Sequence, residues 1–536
     1  MSSPHETWLS QQGLPPERSY SKCVFTFPRQ SVMITDRRAE QLAHGGLLNL
    51  FAAQELKARQ ALSDDELALG LTEHTDGPFC PPAPICPSPP NRYRSFGGEC
   101  NNPSFPTWGA VHTGFERLLP PDYSDGGILP SARAVSNALI LDGGHPSPIL
   151  NLMFMQFGQF IAHDTSSGTV FTIGNGSALT CCTPNGEDFL PQEFQHWGCA
   201  PIASGPADDF YGQFHHQCLN FVRAQLAPAS DCSVGYAKQM NGATHYPDLS
   251  HLYGTSDEKV AQLRGPGGLL KTFNDYGREL PPLTERKECA QTVQTFGLSP
   301  SPGYCSSYDH LVNPSLTAEF STAAMRFGHS VVDGKLTIPD VRRDNVYESI
   351  FIPELTRYLF HGGNPFGIDL AAINIQRGRD YGVRSYNQYR RLIGLEPFNS
   401  FNQFAPNTAQ RLASIYESPE DIDLWVGGLL EEPVEGSVVG ITFGHILADQ
   451  FSRIKRGDRY FYENGPDVNP GAFTPSQLAE IKKVTLSRII CDNKDGIELF
   501  AQPPNAFVLG NLPGNEPVPC ESLAIPAMDL SRFKEI

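Results

Sequence analysis

Between Ile149 and Ala162 apolar residues occupy nearly every helical face, interrupted only by Asn151, Gln156 and Gln159. A pattern with no polar face predicts a buried helix. Ser147 can cap its start and Pro148 suits its first turn. The stretch continues as "FGQFIAHDTS", where Gln159 and His163 stand four apart and share a face. Asp164 points about 100° away from His163. Buried polar groups are costly unless paired, so each needs a partner. Taken alone, the stretch is equally a core helix with satisfied polar residues.

The same periodicity organises the rest of the chain. "DRRAEQLAHGGLLNLFAAQELKARQALSDDELAL" predicts an amphipathic helical stretch within residues 1–75, ahead of the Pro- and Cys-rich "CPPAPICPSPPNRYRSFGGECNNP". From about residue 130 onward, apolar runs at helical spacing alternate with Gly/Pro loops, and strand-like alternation is scarce. "TPSQLAEIKKVTLSRIICD" predicts helix, with Thr474 and Pro475 as cap and first turn. The expected architecture is mainly α, with an N-terminal propeptide-like helical segment over 1–75 and one large domain over 76–536.

Composition narrows the classes. Hydrophobic residues at 40% suit a globular protein with a sizeable core, and a net charge of −18 argues against nonspecific nucleic-acid binding. No stretch is long and apolar enough for a membrane-spanning helix. Thirteen irregularly spaced cysteines, with Cys181 and Cys182 adjacent, read as a disulfide framework, and no paired CxxC zinc pattern is present. The sequon Asn175-Gly176-Ser177 points the same way. The start, "MSSPHETWLSQQGL", carries no apolar signal-peptide core, so a secreted protein implies a precursor start that lies outside this chain.

Two further stretches carry candidate chemistry. In "NGATHYPDLSHLYGTS" an extended loop would turn the oxygens of Thr244, Asp248 and Ser250 to one side, with the Tyr246 carbonyl beside them. Oxygen-only ligation suits a hard cation such as Ca²⁺, and Asp164 could add a carboxylate. By itself the loop reads equally as a Ser/Thr-rich turn. In "EFSTAAMRFGHSVV", Arg326 and His329 stand three apart on a helical pattern. "DLAAINIQRGRDYG" offers Asn374 as an acceptor for an iron-ligating histidine, with Arg377 one turn on. Arginines near such a histidine are natural partners of haem propionates, because guanidinium pairs carboxylates in a planar fork. Arg379 and Asp380 are expected to form a structural ion pair.

These motifs resemble the animal haem peroxidase family. The likeness runs in order through "YRSFGGECNNPSFPTWGA", "RLLPPDYSDG", "LPSARAVS", "MQFGQFIAHD", "YPDLSHLYG", "EFSTAAMRFGHS", "INIQRGRDYG", "RGDRYFYE" and "RIICDN", spanning roughly residues 80 to 530. The resemblance implies a large, mainly α-helical domain around a buried haem b, with hydrogen peroxide oxidising halides, phenols or protein tyrosines. It makes His163 the catalytic histidine on the peroxide side, taking a proton from peroxide and returning it to the leaving oxygen, and Gln159 the glutamine that hydrogen-bonds water or halide. It assigns Asp164, Thr244, Tyr246, Asp248 and Ser250 to calcium, His329 to the iron, Asn374 to His329, and Arg326 and Arg377 to the propionates. It also implies that Cys181 and Cys182 pair with Cys199 and Cys218, and Cys491 with Cys520.

The chain departs from the family pattern twice. Where mammalian members carry an ester-forming aspartate before the catalytic histidine, Ala162 stands here, which implies haem without that ester. The family also carries a long segment before the iron-ligating helix, holding an arginine on the peroxide side. Here "LPPLTERKECAQTVQTFGLSPSPGYCSSYDHLVNPSLTAEF" joins the two parts directly, with an apparent deletion near residues 290–303. Neither an "R-x-N-E" stretch nor a "REHNR" helix is found, and Arg264 in "QLRGPGG" belongs to another part of the pattern. An incomplete gene model, a splice form or a true loss would each produce this junction.

Two alternatives follow. A catalytically impaired secreted adhesion or scaffold protein would use Arg456-Gly457-Asp458, the integrin-binding tripeptide, although "RGDRYFYE" matches a family stretch whose charges serve structure. Related folds also support fatty-acid dioxygenation through a tyrosyl radical, and Tyr381 stands where many family members carry histidine.

Overall fold

The computed structural model describes residues 37–63, 66–67, 84–123, 129–140, 147–173, 177–228, 234–263, 273–275, 278–280, 303–305, 307–332, 335–339, 347–351, 354–359, 364–493 and 500–533. Asn175, Arg264 and residues 290–302 of the junction therefore lie outside the described residues, as do Cys23, Cys80, Cys232 and Cys289.

Helices dominate, as the periodicity predicts. In chain order they are α1 (Arg37–Ala58), α2 (Ala132–Leu139), α3 (Leu152–Thr165), α4 (Ser250–Tyr253), α5 (Asp257–Leu263) and α6 (Leu370–Asp380). α7 (Tyr386–Leu392), α8 (Pro406–Ala413), α9 (Leu424–Leu430), α10 (Ile441–Gly457), α11 (Pro475–Ile481) and α12 (Leu486–Asp492) follow. Among the described residues, β-structure is limited to antiparallel two-stranded pairs and isolated bridges.

The main core forms where α3, α6, α9 and α10 converge. Phe154, Phe157 and Ile161 of α3 share it with Ile375 of α6, Trp425 of α9 and Phe443 of α10. Burying such side chains stabilises by roughly 1.5–3 kcal/mol each. The N-terminal α1 lies against this body. Its Ala39 and Ala43 are buried with Phe171, Leu179 and Leu226 in a second cluster. At Gly46 an added Cβ would sit 2.5 Å from the Leu226 carbonyl oxygen, so only glycine permits this approach.

Three local expectations are corrected. The apolar helix begins at Leu152, capped by the Asn151 side chain accepting from the Met153 amide, and not at Ser147. The Ser147 hydroxyl instead accepts from the Leu150 amide at 2.9 Å, closing a separate turn. The stretch around His329 is a π-turn over Phe320–Ala324 followed by a 3₁₀ turn over Met325–Val331, where an α pattern was expected. Side chains take carbonyls that an α-helix would use: Thr322 Oγ1 donates to Ala318 O at 2.8 Å and Arg326 Nε to Ser321 O at 2.9 Å. "TPSQLAEIKKVTLSRIICD" forms two helices, α11 capped by Thr474 in a capping box and α12 capped by Thr485.

Four disulfides join described cysteines: Cys86–Cys100, Cys181–Cys199, Cys182–Cys218 and Cys491–Cys520. Each of the adjacent cysteines takes one of the two expected partners, so the loop from 181 to 218 is tied twice.

Candidate active site

α3 presents two faces with different polar residues. Gln159 and His163 sit on the half-buried face, and Gln159 Nε2 donates to His163 Nε2 at 2.8 Å. An amide nitrogen only donates, so His163 Nε2 accepts and carries a lone pair. Asp164, fully buried, points elsewhere, as the helical offset predicts. Its two oxygens accept from the Leu249 amide at 2.9 Å and from His251 Nδ1 at 2.7 Å. His251 also packs edge-on against Phe160 of the same helix, with ring centroids 4.7 Å apart.

The oxygens of the 244–250 loop converge, though not by extension. Leu249 adopts a left-handed φ of 63°, and Ser250 opens α4. Thr244 Oγ1 lies 2.9 Å from Asp248 Oδ1, 3.1 Å from Ser250 Oγ and 3.5 Å from the Tyr246 carbonyl. Burial raises Asp248 to about 6, and the Asp164 charge adds to this against the pull of Arg94. A buried and a half-buried carboxylate repelling each other beside hydroxyls and a carbonyl form a donor set that fits a hard cation. Among the described residues no group of three or more His, Cys, Asp or Glu side chains assembles.

Arg94 braces this loop. Its guanidinium lies 3.8 Å over the Tyr246 ring, 3.6 Å from Asp248 and 2.8 Å from Asp458. Asp458 is therefore buried at 3% exposure, and Gly457 ends α10 beneath Val312 and Pro314.

Across the core, His329 faces the α3 side. Asn374 of α6 donates through Nδ2 to His329 Nδ1 at 2.8 Å, and its Oδ1 accepts from Arg326 Nη1 at 2.8 Å. Burial pushes His329 down to about 3, and the charges of Arg326 and His163 act in the same direction. His329 therefore stays neutral near pH 7. The two walls are also joined directly by the hydroxyls of Ser166 and Ser321, 2.6 Å apart.

Arg326 is half-buried and pairs with no carboxylate among the described residues; its side chain donates only to Asn374 Oδ1 and Ser321 O. Burial, and then the nearby Arg377 charge, lower it to about 10. A guanidinium so placed lacks a counter-anion. Arg377 differs: it pairs with Asp380 at 2.9 Å, donates to Val222 O at 3.0 Å and lies 4.1 Å over the Phe221 ring.

The expected Arg379–Asp380 pair does not form. Neighbours on a helix point about 100° apart, whereas residues three apart meet. Asp380 accordingly pairs with Arg377, and Arg379 pairs with Asp423 at 2.7 Å. Sequence reasoning missed His251 and the Ser166–Ser321 link, although all three residues stand within the quoted motifs. Ala162 offers no side-chain oxygen to a ligand. Tyr381 is buried against Phe115, ring centroids 5.6 Å apart, and burial raises it to about 12.

Comparisons with known proteins bear on the family and the fold. The family pattern described as "Animal haem peroxidase" matches residues 93–299, 290–350 and 341–507. A chorion peroxidase from Drosophila melanogaster is 38% identical, covering 90% of this chain and 76% of that protein. One from Aedes aegypti is 36% identical, covering 82% and 71%. Peroxidase A from Dictyostelium discoideum shares the fold with a TM-score of 0.59 and 24% identity, over 77% of this chain and 99% of that one. A fatty acid alpha-dioxygenase from Oryza sativa, at 17% identity and a TM-score of 0.52, covers 81% of this chain and 92% of its own, and shares the fold alone. The Drosophila alignment runs over 615 positions while covering 90% of 536 residues, so more than a hundred of its positions face gaps in this chain.

Proposed function

Because this chain belongs to the animal haem peroxidase family, we propose that haem sits between His163 and His329 and that hydrogen peroxide is used there to oxidise phenolic or tyrosyl donors. The observation that carries the reading is Arg326: a half-buried guanidinium without a carboxylate, beside Arg377 and next to His329, awaits an anionic group such as a haem propionate. His329 would hold the iron, Asn374 would orient His329, and Arg326 would hold a propionate, with Arg377 nearby. When bound, haem supplies the iron centre at which peroxide is reduced and donors are oxidised.

The chain's own residues would do the rest. His163 Nε2, already an acceptor, takes the proton of hydrogen peroxide and returns it to the departing oxygen. Gln159 Nε2 holds a water or the peroxide in the place where it now meets His163. Asp164 and the Thr244–Ser250 oxygens hold Ca²⁺, which fixes α3 and with it His163. With Ala162 in place of an ester-forming residue, haem b is held without that bond, which weighs against halide donors. The disulfides suit an oxidising, extracellular setting.

The alignment gap favours a second reading, a haem-binding protein with impaired turnover. An integrin-binding role through Arg456-Gly457-Asp458 has less support, because Asp458 is engaged by Arg94. The test is reconstitution with haem followed by peroxide and a phenolic donor. A Soret band, lost in His329→Ala, with donor oxidation falling at least a hundredfold in His163→Ala, supports the enzyme. A Soret band without turnover leaves only the second reading, and no Soret band overturns both.

A further inference from the structure

We propose that Arg326 couples anchoring of the haem carboxylates to the ability of His329 to bind iron, with the Asn374 amide as the moving part. This rests on the haem-binding reading above.

The hydrogen-bond chain has a definite polarity. Asn374 Nδ2 carries only hydrogens, so at 2.8 Å from His329 Nδ1 it makes that nitrogen the acceptor. A neutral imidazole accepting at Nδ1 keeps its hydrogen on Nε2. A protonated Nε2 has no lone pair to give a metal, so this tautomer cannot ligate through that atom. The amide is held this way because its Oδ1 accepts from Arg326 Nη1 at 2.8 Å. Turned over, it would point its hydrogens at a guanidinium, donor against donor. Arg326 therefore fixes Asn374, and Asn374 fixes His329.

The same guanidinium is the group best placed to be drawn away. It has no carboxylate partner among the described residues, and its remaining side-chain bond goes to the neutral Ser321 carbonyl. A carboxylate of the ligand competes for Nη1 with a charge-assisted bond, roughly twice as strong as a neutral one. The backbone of Arg326 stays anchored, since Trp425 Nε1 donates to its carbonyl at 3.3 Å. Only the side chain needs to swing. Once Nη1 leaves Oδ1, the amide turns and Oδ1 accepts from His329 Nδ1–H. One hydrogen leaves Nε2 and one arrives at Nδ1, exchanged with water, so the ring stays neutral and its lone pair lies at Nε2. Arg326 is thus a positioning residue for the iron ligand as well as a holder of the carboxylate.

The experiment reconstitutes the full chain with haem and, separately, with haem dimethyl ester, whose carboxylates are blocked. The ferrous iron–histidine stretch is read by resonance Raman on the bound fraction. In the wild type the band is expected with haem and at least tenfold weaker with the dimethyl ester. In Arg326→Met, where nothing holds Oδ1, the band is expected with both, and Arg326→Lys restores the wild-type contrast. Equal bands with both haems in the wild type would overturn the coupling while leaving haem binding intact, even if Arg326→Met fails to fold. Absence of a Soret band with either haem overturns the haem reading and the coupling together.

Discussion

Asp164 and Asp248 show how one residue can serve two neighbourhoods. Asp164 is anchored from outside the loop by His251, while Asp248 is the carboxylate at the centre of the loop oxygens. If a cation resolves their repulsion, chelation must cost stability. EDTA is therefore expected to lower the melting temperature by several degrees, with recovery on adding Ca²⁺, because a ligand bound only by the folded state stabilises it by mass action. Asp248→Asn should abolish the Ca²⁺ response, and a Ca²⁺-insensitive wild type would remove calcium from this loop. Asp164→Ala should cost more, about 1–3 kcal/mol for each donor it orphans, since the His251 ring and the Leu249 amide lose this acceptor. The directions of Gln159, His163 and Asp164 were legible because helical offset dictates them. His251 was not, because a side chain reaching 87 positions across the sequence leaves no local trace. The Arg379 partner was misread for a related reason: adjacency along a helix is not adjacency in space.

At the level of elements, α1 shows propensity and packing pulling in opposite directions. Replacing Gly46 by alanine gains about 1 kcal/mol of helix propensity. A larger side chain there must displace the Leu226 backbone, and overpacking of this kind costs about 1–3 kcal/mol. Gly46→Leu is therefore expected to undock α1. Limited trypsinolysis at the exposed Lys57 and Arg59 should accelerate at least tenfold, with the melting of the main body little changed. Unchanged cleavage would mean that α1 contributes no closure to this face. The helical period of α1 was readable from sequence, but its seat was not, because a single glycine approaching a backbone carbonyl carries no periodic signal. The same limit explains the stretch around His329. Its apolar spacing fits any helical winding, and the hydroxyl of Thr322 and the guanidinium of Arg326, by taking carbonyls, select the π and 3₁₀ turns.

For the whole molecule, the proposed haem site and the proposed activation of peroxide are expected to separate. The residues that would hold the iron and the propionate share one hydrogen-bond chain through Asn374, and the loop oxygens that would hold the cation gather separately around Thr244. More than a hundred positions of the Drosophila relative have no counterpart in this chain, and the family resemblance places an arginine of the peroxide side in such a segment. An arginine there stabilises negative charge on the departing oxygen, and losing one preorganised donor costs about 10²–10³ in rate, or roughly 2.7–4 kcal/mol. His163 Nε2 keeps its accepting lone pair without it. The expected phenotype is therefore a split: a histidine-ligated haem with a normal Soret band, whose reaction with hydrogen peroxide is at least a hundredfold slower than that of the Drosophila chorion peroxidase under the same conditions. Stopped-flow spectroscopy of the Soret region measures that step separately from donor oxidation. A rate equal to the relative's would show that the described residues suffice and that the missing positions serve something other than cleavage of the peroxide bond. A slow rate restored by grafting the relative's segment into residues 290–303 would assign the deficit to that segment.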